Sequence, residues 1–191
     1  TDAADATALA AATLAALGGV TTGTVTVANS TAITGSEADL TAALVTAASK
    51  VVTTSSDVTI TGVDAITNET EQQVIEDIDA ATTGIIDVQL HTGGVVADFT
   101  GYEGGALTIT GNSGTDTITG TANDDTIVAA TDDTLVDGGD GTDTVQYGAA
   151  VTAATLADID LVNVQNVEIT NAGNATYDFS NQTEALTITG F

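Results

Sequence analysis

Three times in the first third of the chain, an apolar pattern at helical spacing gives way to a short alternating run. Leu9, Thr13 and Leu17 lie on one predicted helix face, as do Leu40, Leu44 and Ala47, and then Val74, Ile78 and Ala81. Each pattern opens on a capping residue with an acid three positions on: Asp2 with Asp5, Ser36 with Asp39, Asn68 with Glu71. The cap's oxygen satisfies an orphan amide, and the acid sits at the positive end of the helix dipole. The runs Val25-Thr26-Val27, Val58-Thr59-Ile60 and Val88-Gln89-Leu90 follow, with the period of half-buried strands. Ala-Ile-Thr recurs at 32–34 and 65–67, which sets a period of about thirty-three residues. Helix–strand units in series favour right-handed crossovers and a parallel sheet. The short period favours a solenoid, with an ordinary small α/β domain as the alternative.

A second pattern begins near residue 107. Four nonapeptides follow one another: Gly111–Thr119, Gly120–Val128, Ala129–Asp137 and Gly138–Gln146. Each carries an aspartate followed by an aliphatic residue predicted to point into a narrow core: Asp116 with Ile118, Asp125 with Ile127, Asp133 with Leu135, Asp143 with Val145. Glycine permits the left-handed backbone of a tight turn. Carboxylate and carbonyl oxygens together form the hard donor set that calcium prefers. With no cysteine and a single histidine, His91, a zinc or copper site has almost no ligands to draw on. The third copy departs from the others: Ala129 and Ala130 replace its glycines, and Asp133 arrives one residue early.

These nonapeptides resemble the glycine- and aspartate-rich repeats of RTX (hemolysin-type) calcium-binding proteins, and the fourth copy matches every specified position. The resemblance covers 36 residues. It implies a parallel β-roll with two nonapeptides per coil and calcium between turns stacked on the same side. On that reading the Asp125 and Asp143 turns stack eighteen residues apart. Asp116 and Asp133 stack on the other side at seventeen, where a weaker or absent ion is expected. Gly114, Asn123, Asp124, Asp132, Asp140 and Gly141 are the auxiliary ligand candidates. The resemblance also implies export by a type I secretion machine, with folding once calcium outside the cell occupies the sites.

A third similarity flanks the nonapeptides. Val88-Gln89-Leu90, Asp98-Phe99-Thr100 and Leu107-Thr108-Ile109-Thr110-Gly111 precede them. Val167-Glu168-Ile169, Asp178-Phe179-Ser180 and Leu186-Thr187-Ile188-Thr189-Gly190 follow. Residues 77–111 and 158–190 therefore read as two copies of one unit, the second stopping at Phe191 as though more should follow. This interleaving is similar to bacterial surface-layer and giant extracellular RTX proteins. The expected organisation is three helix–strand repeats over 1–92, connecting β coils over 93–110, the calcium-binding roll over 111–146, and further coils over 147–191.

Charge narrows the functions. The formal charge is −26 over 191 residues, with Lys50 the single base. Nucleic-acid backbones and anionic membrane surfaces are excluded as partners for want of cations, and no apolar run reaches membrane-spanning length. Hydrophobic residues at 42%, all small or β-branched in the main, with 39 threonines and no proline, suit thin stacked layers. No catalytic constellation stands out, so the expectation is a secreted, non-enzymatic protein that self-assembles, end to end, as a surface layer or filament. The alternatives are the stalk of a calcium-dependent adhesin and the noncatalytic module of a secreted enzyme.

Overall fold

The computed structural model describes residues 8–27, 31–130, 132–147, 159–169 and 185–189. Parallel strands dominate it. Numbered along the chain, a nine-stranded sheet runs in the order β1 (Leu9–Ala10), β3 (Ile33–Gly35), β5 (Val58–Val63), β6 (Ile86–Leu90), β8 (Leu107–Thr110), β10 (Thr126–Ala129), β12 (Thr144–Tyr147), β14 (Asn166–Ile169) and β15 (Thr187–Thr189). A four-stranded sheet contains β7 (Val96–Asp98), β9 (Thr117–Thr119), β11 (Leu135–Asp137) and β13 (Asp160–Val162). A small pair joins β2 (Val25–Thr26) to β4 (Val51–Val52). From β6 to β14 successive strands alternate between the two large sheets, so each nonapeptide supplies one turn and one strand. Side chains alternate as the pleat requires: Ile86, Val88 and Leu90 are buried, whereas Asp87 and Gln89 face outward. The inward residues of both sheets belong to one continuous apolar cluster.

Among the described residues the helices lie in the first half: α1 (Ala11–Val20), α2 (Glu37–Leu40), which continues as a π-helical turn over Thr41–Val45, and α3 (Glu69–Asp79). Two of the expected caps form. Ser36 Oγ accepts from the Asp39 amide, and Asn68 Oδ1 accepts from the amides of Thr70 and Glu71. Glu71 reaches back to the Thr67 amide at 2.6 Å, fixing the approach to α3. The first helix differs from expectation. Leu9 lies in β1, and the buried face is Ala11, Leu14 and Gly18, while Leu17 is exposed. With a single polar residue, Thr13, α1 has no polar face to orient it, so close approach decides: Gly18 lies against the Ser49 carbonyl. Ala47 lies beyond α2, exposed in a turn, and Ile75 joins Ile78 on the buried face of α3. Asp2 and Asp5 lie outside the described residues.

The repeat length is also corrected. Leu9 pairs with Ile33, Ile33 with Val58 and Val58 with Ile86, steps of 24, 25 and 28 residues rather than thirty-three. The Ala-Ile-Thr runs are not equivalent. Ile33 lies in the nine-stranded sheet, whereas Ile66 bridges Ala97, and Val25 pairs with Val51 outside both large sheets. In the flanking units, Ile86 pairs with Leu107 and Asn166 with Thr187, so both advance by 21 residues. Asp178, Phe179, Ser180 and Phe191 lie outside the described residues.

Lys50, in a left-handed conformation, donates from Nζ to the Thr21 carbonyl just past α1, where a cation suits the negative helix end. Below α3, Phe99 and Tyr102 pack edge to face at 6.1 Å. The Tyr102 hydroxyl donates to Asp79, and the Glu103 amide donates to Glu76, which ties the loop after β7 to the helix.

Candidate metal centre

Strand register aligns one position along the nine-stranded sheet from β3 to β15. It is occupied by Ile33, Val58, Ile86 and Leu107, then by Asp125, Asp143 and Gln165, and then by Leu186. An aliphatic column is thus interrupted by two carboxylates and an amide. Asp125 and Asp143 are as buried as their aliphatic neighbours, at 1% and 0% exposure. In the four-stranded sheet the corresponding position runs Val95, Asp116, Thr134 and Ile159, and Asp133, one residue out of register, is buried beside it as Asp116 is.

The carboxylates take over part of the ladder of the main chain. Asp125 Oδ1 accepts from the Leu107 amide at 2.8 Å, Asp143 Oδ1 from the Asp125 amide at 2.8 Å, and Gln165 Oε1 from the Asp143 amide at 2.6 Å. Across the core, Asp116 Oδ1 accepts from the Val95 amide and Asp133 Oδ1 from the Asp116 amide. Their second oxygens differ. Asp125 Oδ2 accepts from the Thr121 amide and Asp133 Oδ2 from the Ala130 amide, whereas Asp116 Oδ2 and Asp143 Oδ2 are buried without a hydrogen-bond partner.

Those oxygens face spaces left by missing side chains. A Cβ built on Gly138 would collide with the Asn163 carbonyl and lie 2.5 Å from Asp143 Oδ2. On Gly120 it would collide with the Gly138 carbonyl and lie 2.8 Å from Asp125 Oδ2. On Gly111 it would lie 3.2 Å from Asp133 Oδ2 and 3.3 Å from Asp116 Oδ2. At Gly120 and Gly138 the cradle so left is bounded by hard oxygens, the donor chemistry of a calcium site, whereas at Gly111 the Ile118 methyl stands at 3.3 Å beside the two carboxylates. Among the described residues no three His, Cys, Asp or Glu side chains converge as a metal-binding group, so an ion held here would need carbonyl oxygens and water for the rest of its ligands.

The expected auxiliary residues divide. Gly114 and Gly141 have positive φ, and a Cβ on either would press on the backbone of the neighbouring turn, at Gly93–Gly94 and Asn123 respectively. Asp124 and Asp132 are exposed and tie turns together at the rim, accepting from the amides of Thr142 and Gly114. Asn123 donates to the Gly104 carbonyl, and Asp140 is exposed on its turn. The third nonapeptide brings a correction. Its strand keeps the eighteen-residue register, Thr117 to Leu135, and the buried aliphatic residue is Val136, with Leu135 only partly buried. The residue lost before Asp133 is regained after it, so the apolar spacing survives and the carboxylate still turns inward.

Sequence reasoning missed a fifth turn. Asn163-Val164-Gln165-Asn166-Val167 aligns in register with Gly141-Thr142-Asp143-Thr144-Val145. Asn163 takes the left-handed conformation that glycine takes in the other turns, with φ of 51°. Its amide donates to Asp137 and its carbonyl closes the Gly138 cradle. The signal was present in the alternation of valines, but Asn and Gln in place of Gly and Asp concealed it.

Burial in an aliphatic column pushes all four carboxyls up, Asp143 to about 6 and Asp133 to about 7, with Asp125 and Asp116 respectively adding repulsion. Because the folded values lie above the unfolded one, ion-free stability is complete below about pH 4 and is lost as pH rises through 6 and 7. The expected result in EDTA is a Tm that falls between pH 5 and pH 8. In calcium the trend reverses, because the ion takes deprotonated ligands. Thermal melts at both pH values check the sign, and a Tm in EDTA that climbs with pH contradicts it.

The chain matches no family model, and neither a curated protein nor a solved structure gives a significant match. No described helix is long and apolar enough to cross a membrane.

Proposed function

We propose that this chain is a calcium-folded structural module of an extracellular, RTX-like protein. Its two large sheets would form opposite walls of a right-handed parallel β-solenoid, whose role is assembly rather than catalysis. The observation that carries this reading is the switch of two core columns from aliphatic residues to fully buried aspartates. Near neutral pH such groups need either a proton or a cation beside them, and the hard-oxygen surroundings favour the cation. In a low-calcium cytosol the carboxylates repel and the roll stays open for export. Outside, calcium at about 10⁻³ M occupies sites of comparable affinity and completes the core.

End-to-end self-association is the partner reading. It is supported by α1, which is apolar nearly all round and leaves Leu17 and Val20 exposed beside the β1 edge. At the other edge of the same parallel sheet, β15 exposes Ile188. Stacking β15 of one copy on β1 of the next would preserve strand direction without closing, which produces a filament. At −26 per copy, such contacts need bridging or screening cations. Electron microscopy and light scattering of the full chain test this. Filaments or sheets are expected in millimolar calcium and not in sodium of equal ionic strength. A strictly monomeric protein in calcium would overturn the assembly role and leave the adhesin stalk as the better reading.

A further inference from the structure

We infer, resting on the calcium reading above, that α3 clamps the coil of residues 86–106 in its folded form without any ion. That coil is then the template on which the calcium-dependent coils fold, and Asp79 and Tyr102 govern the ion response without touching an ion.

The last turn of α3 runs against helix electrostatics. It carries Glu76, Asp77 and Asp79 and no base, although the negative end of a helix disfavours carboxylates. Two of the three are occupied by the loop after β7. Asp79 Oδ2 accepts from the Tyr102 hydroxyl at 3.0 Å and from the Gly105 amide at 2.9 Å, and Glu76 Oε1 accepts from the Glu103 amide at 2.8 Å. One turn earlier, Gln72 Nε2 donates to the Asp98 carbonyl at 2.7 Å. The outer edge of β7 is held as well, because the Ile66 amide donates to the Val96 carbonyl and the Asp98 amide donates to the Ile66 carbonyl. Asp77 differs: it is exposed and bonds within the helix, to Gln73.

This coil has no charge in its core. Val95, Ala97, Phe99 and Tyr102 are buried, and none of its carboxylates is. Its far face meets the first carboxylate of each side of the roll. The Val95 amide donates to Asp116 Oδ1, and the Leu107 amide, just past the coil, donates to Asp125 Oδ1. Beside them the Phe99 amide donates to the Thr119 carbonyl, and the Gly104 carbonyl accepts from Asn123. Donors already fixed in place spare the first ion-binding coil part of the ordering entropy. In a stack of coils each is stabilised by its neighbour, so a loosened clamp weakens the ion response of the whole roll.

Calcium titration of the full chain at pH 7.5, followed by the strand signal in circular dichroism, tests this with Asp79→Ala, Tyr102→Phe and the control Asp77→Ala. The control removes the same charge from the same turn and leaves the loop contacts in place. Asp79→Ala and Tyr102→Phe should each raise the calcium midpoint about threefold or more, having lost hydrogen bonds to a charged group, with the helix signal in EDTA kept. Asp77→Ala should leave the midpoint where it is. Calorimetry should count the same number of ions in all four proteins, since none of the three side chains is a ligand. In the parent in EDTA, peptides covering 91–106 should exchange as slowly as those covering 58–90. A midpoint that moves in neither clamp variant, or that moves equally in Asp77→Ala, overturns the inference and leaves calcium binding in place. So does an ion lost in Asp79→Ala, or exchange of 91–106 at unfolded rates in EDTA. A parent whose roll needs no calcium overturns the proposed function and the inference together.

Discussion

In excess EDTA at pH 8, the strand signal contributed by residues 107–147 should be lost, and millimolar calcium should restore it. Asp116, Asp125, Asp133 and Asp143 are each at most 2% exposed, so at that pH an ion-free fold must either carry unneutralised charge in its core or hold carboxyls protonated against the pH. An unneutralised buried carboxylate costs on the order of a few kcal/mol even when its oxygens accept hydrogen bonds. Four of them approach the whole stability of a domain, roughly 5–15 kcal/mol. The thin core around them offers little in compensation, since each coil contributes only residues such as Ile109, Ile118, Ile127 and Val136. Among the described residues the helical part has no buried carboxylate. Its caps at Ser36 and Asn68 are formed, and Ile60, Ile75, Ile78 and Val88 are fully buried. Circular dichroism is therefore expected to show partial loss, with helix retained and strand reduced. An unchanged spectrum in EDTA would count against the account.

Asparagine at 116 and 143 together gives opposite effects in the two conditions. Each of these aspartates accepts one amide through Oδ1, which an asparagine carbonyl also does, and each has an Oδ2 without a hydrogen-bond partner. Replacing that oxygen by an NH₂ group removes a buried charge. At position 143 it also places a donor near the Asn163 carbonyl across the Gly138 cradle. In EDTA at pH 8 the double variant, Asp116→Asn with Asp143→Asn, should be more stable than the parent by roughly 1–3 kcal/mol per site, allowing for solvent screening. In calcium it should be less stable than the parent, because the ion has lost its anionic ligands. Chemical denaturation in both conditions measures the two signs. Destabilisation in EDTA as well would mean that the aspartates serve the fold without any cation.

The nonapeptides were legible because turn chemistry is local: glycine for a left-handed backbone, aspartate at a fixed place, an aliphatic residue two positions later. That rule located all four buried carboxylates. It failed at Leu135, where the column is set by the strand alongside rather than by distance from the aspartate, so Val136 takes the core position. Gln165 and Asn163 were hidden for a related reason. They do the work of Asp143 and Gly141 by different side chains, and only register with β12 reveals it. The helical third was read less well. Its period rested on recurring Ala-Ile-Thr, a tripeptide that a chain rich in these residues repeats by composition, while the true steps are 24, 25 and 28 residues. The face of α1 could not be predicted, since a helix apolar on every side gives periodicity nothing to detect.

Amide hydrogen exchange followed by mass spectrometry tests most directly whether a cation completes the two aspartate columns. With calcium, peptides covering 107–147 should be protected to the same degree as those covering 58–90. In EDTA at the same pH, 107–147 should exchange at close to unfolded rates while 58–90 stays protected, because the loss is confined to the coils whose core contains carboxylates. Equal protection of both segments with and without calcium would contradict the account.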